Sequence, residues 1–514
     1  MNTVRLAKHL NSIAMRGNPY FTLFRCRQFM LGPQFAPGLD DWQHLTLGPR
    51  LKLTAHPELS VTQASSGTKS VVALGFLLDP THPDAGDQEI LDGLLERFGS
   101  LEQLLQATSP LGGRWAIIAT LKHQQYLFTD ALGLRQVFYT TPELVGDLYM
   151  MSEPAAGAAM LGLPVDHDAR AYMDSAEFRT NPEYLWPAAS SPFRGISRLL
   201  PNHYLDLGNG SCQRFWPERR LSKITLEDGA EKVAGLLTGL LRAAANRFDL
   251  AIAVTSGIDS RVVLAACKEI KDEVSFMTLR QWHMADDSPD ITVPQTLLAQ
   301  LEMKHDVILS QAPMTPEFGL IFKSNVYKAH EHYGPDAEAI LGYFQRGKVT
   351  VTGSGGEVGR CPFRQELPFF DRKRVTAAFL SRIEIGTRNE FAISHFTNWL
   401  NDVNPNHGIN TLDLFEWEQG CGSWLPATQQ EFDIAWKEIF TPFNCRDLVI
   451  AMLSVPVKYR KGPDYILFNR VIQKMWLEVL DAPINPHRKR YILSQYFHET
   501  KLLMKHVLQT FRYR

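Results

Sequence analysis

The chain has 514 residues, with 53 Lys and Arg against 55 Asp and Glu, a formal net charge of -2, and 45% hydrophobic residues. That length exceeds one ordinary core and predicts two domains, and the balanced charge, with no long basic run, argues against nucleic acid as a partner. Cys26, Cys212, Cys267, Cys361, Cys421 and Cys445 form no CxxC pair and no His/Cys cluster at metal spacing, no run approaches the ~18 apolar residues of a membrane span, and the N-terminus lacks the apolar core of a signal peptide, so a reduced, cytoplasmic protein without a membrane partner is expected.

From Asn18 to Gly208 the text is short apolar runs broken by Gly, Pro, Asp and Asn. Ser70–Leu78 reads as a buried strand stopped by Asp79-Pro80; Gly113–Thr120 and Gln125–Thr129 read as two more, joined by a turn around Lys122-His123. Ile90, Leu91, Leu94, Leu95 and Phe98 stand at helical spacing and predict a helix over Asp87–Phe98. This half is expected to be built on sheets. After Trp216-Pro217 the pattern changes. Ile224–Arg247 is a long helical stretch opened by Thr225-x-x-Asp228. Leu250–Val254 is a wholly apolar strand followed by a helix from Ser260 to Lys271; Val274–Leu279 is the next strand, Ile291–Leu301 the next helix, and Val349–Thr352 a later strand. Apolar strands alternating with helices predict a parallel sheet covered on both faces. From about Arg374 onward helical periodicity dominates, and the domain boundary is placed at 215/216.

The strand–turn–helix at 250–271 contains Thr255-Ser256-Gly257-Ile258-Asp259-Ser260-Arg261. A parallel strand that empties into a tight turn and a helix N-terminus offers free N–H groups and a favourable dipole to an anion such as phosphate. Small residues let the backbone approach, and Asp259 could hold a magnesium ion bridging phosphates. On these grounds alone an ordinary strand-to-helix connection explains the turn equally well. Further on, Val351-Thr352-Gly353-Ser354-Gly355-Gly356-Glu357-Val358-Gly359-Arg360 again follows a β-rich run.

The first segment resembles the SGGxDS pyrophosphate loop of the N-type ATP pyrophosphatases, with Thr255 and Ser256 standing where the pattern has Ser and Gly. The second resembles the GxGxDE segment of asparagine synthetases and β-lactam synthetases, with Glu357 in the place of its Asp. Ala73–Phe76, Gly113–Ile117, Asp130–Tyr139, Gly195–Tyr204 and Arg214-Phe215-Trp216 are similar, in order, to landmarks of the asparagine synthetase amidotransferase domain. The chain is therefore identified as a divergent member of the asparagine synthetase-like superfamily, the likeness covering roughly 70–490. The resemblance implies an antiparallel Ntn-amidotransferase-type domain over 1–215 and an ATP-pyrophosphatase-type α/β domain over 216–514. It also implies pyrophosphate binding by Thr255, Ser256, Gly257, Ile258 and Ser260, a nucleoside bordered by Gly353, Ser354 and Gly355, and Mg2+ on Asp259 and Glu357.

The glutaminase of that family uses a processed N-terminal cysteine, its own amine serving as base. Here the chain begins Met1-Asn2-Thr3 and the first cysteine is Cys26, so no glutaminase activity is expected. The family also supplies a C-terminal lysine that stabilises the adenylated intermediate. Lys489 and Arg488 stand nearest to it in chain order, and Lys461 competes; each would serve equally as a solvated surface charge. The expected activity is an AMP-forming ligase that uses ATP to adenylate a carboxylate of a small molecule or peptide and passes the acyl group to an amine or ammonia. A homodimer is compatible with this. The alternative is a non-catalytic binding or scaffold protein on the same fold, which Ser256 for Gly and Glu357 for Asp favour. His283 and Asp287, after the second strand of the sheet, read as loop polar residues, and His330-Glu331-His332 lacks the spacing that would place two metal ligands on one helix face.

Overall fold

The computed structural model describes residues 17–181, 183–363, 375–403 and 407–486. Among the described residues, twelve strands occupy the first half: β1 (Phe29–Gly32), β2 (Gln43–Gly48), β3 (Leu51–Ala55), β4 (Val61–Ser66), β5 (Lys69–Leu78), β6 (Gly112–Leu121), β7 (Gln124–Thr129), β8 (Phe138–Thr140), β9 (Met150–Met151), β10 (Ile196–Arg198), β11 (His203–Asp206) and β12 (Cys212–Arg214). They form two antiparallel sheets, ordered β10-β8-β9-β1-β3-β2 and β12-β11-β7-β6-β5-β4. Alternation along β5 and β6 gives each face its own task. Val72, Leu74, Ala116 and Ile118 meet Phe29, Leu31, Leu53 and Ala55 of the other sheet, so the two sheets form a sandwich. Val71, Ala73, Ile117 and Ala119 face the other way and pack on Ile90, Leu91, Leu94 and Leu95, the inner face of a helix over Asp87–Arg97. The β6–β7 turn puts both Lys122 and His123 at positive φ, 53° and 90°, the conformation that a two-residue hairpin loop demands.

His56 follows β3 in a buried corner. Its Nδ1 accepts the Glu58 backbone N–H at 3.1 Å, which requires that nitrogen to be unprotonated, and burial pushes its pKa down to about 4 from 6.5. A histidine held neutral in the fold stabilises it above its unfolded pKa, and this is lost as pH falls toward the folded value. Between pH 6.5 and about 4 this residue contributes up to about 1.4 kcal/mol of lost stability per pH unit. His56→Asn, which offers an acceptor that does not titrate, is expected to flatten the wild-type slope in that window. Urea unfolding at a series of pH values reads it, and identical slopes would refute the assignment.

β12 ends at Arg214, and a helix over Leu226–Ala245 opens the second half, its cap Thr225 accepting the Asp228 N–H at 3.1 Å. Among the described residues five strands follow: β13 (Leu250–Ala253), β14 (Ser275–Arg280), β15 (His305–Leu309), β16 (Val349–Val351) and β17 (Glu438–Phe440). All pair in parallel, in the order β15-β14-β13-β16-β17. The chain enters at the middle strand, steps outward to β15 and then crosses to β16. That reversal makes the β13/β16 junction the topological switch point, the carboxyl edge at which open α/β sheets place their ligand crevice. The helix after β13 spans Ile258–Ala266 and hands over to a 3-10 turn at Lys268–Ile270, so it starts and stops earlier than periodicity suggests.

Two features of the C-terminal part depart from the sequence expectation. β17 lies within the helical C-terminal part, and its three residues are too few to show a period against the helices on either side. Residues Glu416–Cys421 form a π-helical turn, a break that helical spacing does not announce. The halves share their largest core, where Phe76, Leu132, Leu134 and Leu200 join Leu237, Phe440 and Phe443. They also share buried ion pairs: Arg114 reaches Asp433 at 2.6 Å, Arg27 reaches it at 3.1 Å, and Arg135 reaches Glu438 at 2.9 Å. Among the described residues no helix is long and apolar enough to cross a membrane.

Candidate functional site

Two loops leave the carboxyl edge of the parallel sheet side by side, one after β13 and one after β16. In the first, the hydroxyls supply an internal scaffold. Thr255 Oγ1 accepts the Gly257 N–H at 3.2 Å and lies 2.9 Å from Ser260 Oγ, which donates to the Gly257 carbonyl at 3.1 Å. Gly257 caps the helix that begins at Ile258. The first-turn N–H groups of a helix have no partner within it, so this end faces the crevice with donors and the positive end of the dipole. Ile258 itself is 1% exposed and packs in the core; only its backbone is available to a ligand. Ser256 donates both its N–H, at 3.0 Å, and its hydroxyl, at 2.6 Å, to Asp290 Oδ1.

Asp290 was missed by the sequence reading, although a signal existed. Ser288-Pro289 is a helix-start pattern, and the helix indeed begins at Pro289, with Asp290 in its first turn. That turn follows β14, the neighbour of β13, and so returns to the same edge.

The second loop is shaped by what its glycines exclude. A Cβ on Gly353 would lie 2.7 Å from the Asp259 carbonyl carbon and the Ser260 nitrogen, and one on Gly356 would lie 2.7 Å from Asp259 Oδ1. The two loops therefore dock backbone to backbone, and Gly353 is committed to that contact. Gly355 sits at φ 92°, where a Cβ would come within 2.6 Å of Leu132 in the first half. Ser354 accepts the Thr441 hydroxyl on its carbonyl at 2.6 Å.

Glu357 is half-buried and accepts the Gly355 N–H on Oε2 at 2.7 Å. Its other oxygen lies 3.4 Å from Arg360 Nη2, and the same nitrogen lies 2.8 Å from Asp259 Oδ2. Asp259 and Glu357, distant in sequence, thus meet across one guanidinium. Burial works against the charge on Arg360, but Asp259, Glu357 and Glu416 together outweigh it and raise its pKa above the ordinary value. Glu416 is pushed up to about 8, first by burial and then by Glu357 and Glu384.

The pair of carboxylates suits a hydrated divalent ion. Among the described residues no group of three or more His, Cys, Asp or Glu is arranged to hold a metal, and magnesium characteristically takes one or two carboxylates, completing its octahedron with phosphate and water. The guanidinium between them shows that the position favours a cation.

A strap from the C-terminal part closes one side. Arg261 donates to the carbonyls of Val479 at 2.8 Å, Ala482 at 3.0 Å and Pro483 at 3.2 Å, and the Asn485 N–H donates to the Ser256 carbonyl at 3.0 Å. The chain passes from here toward Arg488 and Lys489, which lie outside the described residues. Lys461 is exposed at the end of a short helix; its carbonyl accepts the Tyr465 N–H at 3.2 Å, and the Tyr465 ring lies 5.9 Å from the Arg360 guanidinium. His283 and Asp287 are exposed, and His330 is paired with Glu431 at 2.7 Å.

No family model matches the chain, and no curated protein matches it. Solved structures similar to it include a glutamine phosphoribosylpyrophosphate amidotransferase from B. subtilis complexed with ADP and GMP, at 11% identity and a TM-score of 0.24, covering 68% of this chain and 74% of that one. Another is an allosteric regulatory enzyme of purine biosynthesis, at 11% identity and a TM-score of 0.25, covering 63% of this chain and 76% of that one. Superpositions this loose assign the chain neither a fold family nor an activity.

Proposed function

We propose that the chain is an AMP-forming ligase: ATP adenylates a substrate carboxylate in the β13/β16 crevice, pyrophosphate leaves, and an amine then displaces AMP to form an amide. The observation that carries this reading is the meeting of Asp259 and Glu357 at the switch-point edge, beside a helix N-terminus and a loop of small residues. In this reading the Thr255–Ser260 turn receives the pyrophosphate half of ATP. Its donors are the first-turn N–H groups and the hydroxyls of Thr255, Ser256 and Ser260, and binding frees Ser256 from Asp290. Asp259 and Glu357 would hold magnesium, whose contribution when bound is to neutralise phosphate charge. The glycines of the second loop keep the crevice narrow, and the Arg261-held strap keeps the C-terminal segment against the turn. Most of the rate would come from positioning and from fixed charges aimed at the phosphates.

Two contacts favour the rival reading, a binding protein without turnover: Asp290 already occupies the Ser256 donors, and Arg360 already occupies the place between the carboxylates. Incubation with Mg-ATP and a panel of carboxylates and amines separates the two. The ligase reading expects AMP and pyrophosphate in equal amounts, dependent on the carboxylate. ADP and phosphate, or no nucleotide turnover with any pair, would count against it.

A further inference from the structure

Arg360 belongs to no motif that marks the site, yet it makes the contacts that define it. One nitrogen, Nη2, lies 2.8 Å from Asp259 Oδ2 and 3.4 Å from Glu357 Oε1. The two oxygens are therefore no farther apart than the sum of these distances, a gap that a single hydrated ion could span. Arg360 follows Glu357 by three positions on one short helix, Glu357–Arg360, so the pair share a face and the guanidinium stays tethered at the crevice. Its side chain is 15% exposed. Gly353 and Gly356 press on Asp259 from the second loop, leaving that carboxylate little freedom to turn elsewhere.

We propose that Arg360 is the resident cation of this crevice: in the nucleotide-free protein it holds Asp259 and Glu357 together and excludes divalent ions until nucleotide phosphates arrive. The inference rests on the reading of these two carboxylates as metal ligands. An arginine does not lose its proton in a protein, so the exclusion is permanent as long as the guanidinium stays. A divalent ion entering alone would have to displace a monocation from two carboxylates that it already neutralises. Phosphates change that balance, because they offer the guanidinium a bidentate, charge-assisted partner of its own while they complete the octahedron of the ion. A crevice built this way does not take up metal ahead of its nucleotide.

The test is Mn2+ binding to the full-length, nucleotide-free protein, followed by electron paramagnetic resonance. Wild type is expected to bind weakly. Arg360→Met, of similar length and neutral, should bind Mn2+ at least ~10-fold more tightly, since two facing carboxylates lose the cation that Arg360 places between them and repel each other. Arg360→Lys, which keeps the charge, should stay near wild type, and adding Asp259→Asn to Arg360→Met should abolish the gain. Tight Mn2+ binding by wild type would overturn the proposal. So would a folded Arg360→Met that binds no better, as expected if Arg360 is only a structural staple. Should Arg360→Met fail to fold, Arg360→Gln carries the same comparison. Because no nucleotide is present, the outcome is independent of whether AMP is ever formed.

Discussion

Asp433→Ala is expected to destabilise the protein by about 3–5 kcal/mol, the scale for removing one partner of a buried ion pair. Asp433 is 1% exposed. It takes two hydrogen bonds from Arg114, at 2.6 and 3.1 Å, and one from Arg27 at 3.1 Å. Burial opposes its charge, but Arg114, Arg27 and Arg135 outweigh that and hold its carboxyl below the usual range. Without it, Arg27 keeps Glu438 at 3.5 Å and Glu58 at 3.6 Å, while Arg114 keeps Glu438 at 3.6 Å, and Glu438 already serves Arg135. The loss falls on the seam between the sandwich and the α/β half, so both should unfold together at lower denaturant. Asp433→Asn keeps hydrogen-bonding capacity and should cost less. Urea unfolding measures both, and an alanine variant within ~1 kcal/mol of wild type would mean that the arginines find other partners and that the seam does not depend on this carboxylate.

Asp259→Asn is expected to slow AMP formation by at least ~100-fold, the scale for loss of one strong electrostatic stabiliser, while leaving the fold intact. The side chain stands in the first turn of the helix proposed to receive the phosphates, and it is pinned there by Gly353, Gly356 and Arg360. Asparagine fits the same space, so the change is one of charge alone. The variant would lose half of the cation-holding pair, and its AMP formation, followed by chromatography, would fall accordingly. A variant that forms AMP at the wild-type rate would remove the Thr255–Ser260 turn from the mechanism.

The elements that carry local periodicity were legible in the sequence: β5, β6 and β7, the Asp87–Arg97 helix, the Leu226–Ala245 helix and the parallel strands β13, β14 and β16. The two loops that meet at the site were legible as well, because Gly-rich turns between strand and helix are written in consecutive residues. What those residues touch was not. Gly353 and Gly355 were read as bordering a nucleoside; that Gly353 also packs on the start of the neighbouring helix and Gly355 on Leu132 was not legible. Ile258 was placed in the binding loop; that its side chain is core, leaving only its backbone to the loop, was not legible. Arg360 and Asp290 carry the electrostatics of the crevice, and neither shows it in a local pattern, because their partners come from other elements of the sheet edge. The Arg114–Asp433 seam joins residues separated by 319 positions, beyond the reach of any spacing rule. β17 is three residues long and became visible only through its pairing with β16.

The central claim is that the β13/β16 crevice receives the phosphates of ATP through Asp259, and titration calorimetry with Mg-ATP on wild type and Asp259→Asn tests it most directly. The account predicts that wild type binds Mg-ATP with a dissociation constant at or below ~1 mM, the upper range for enzyme substrates, that pyrophosphate competes for the same site, and that Asp259→Asn loses both. Folded wild type that takes up neither Mg-ATP nor pyrophosphate, or an Asp259→Asn variant that binds them as wild type does, would contradict it.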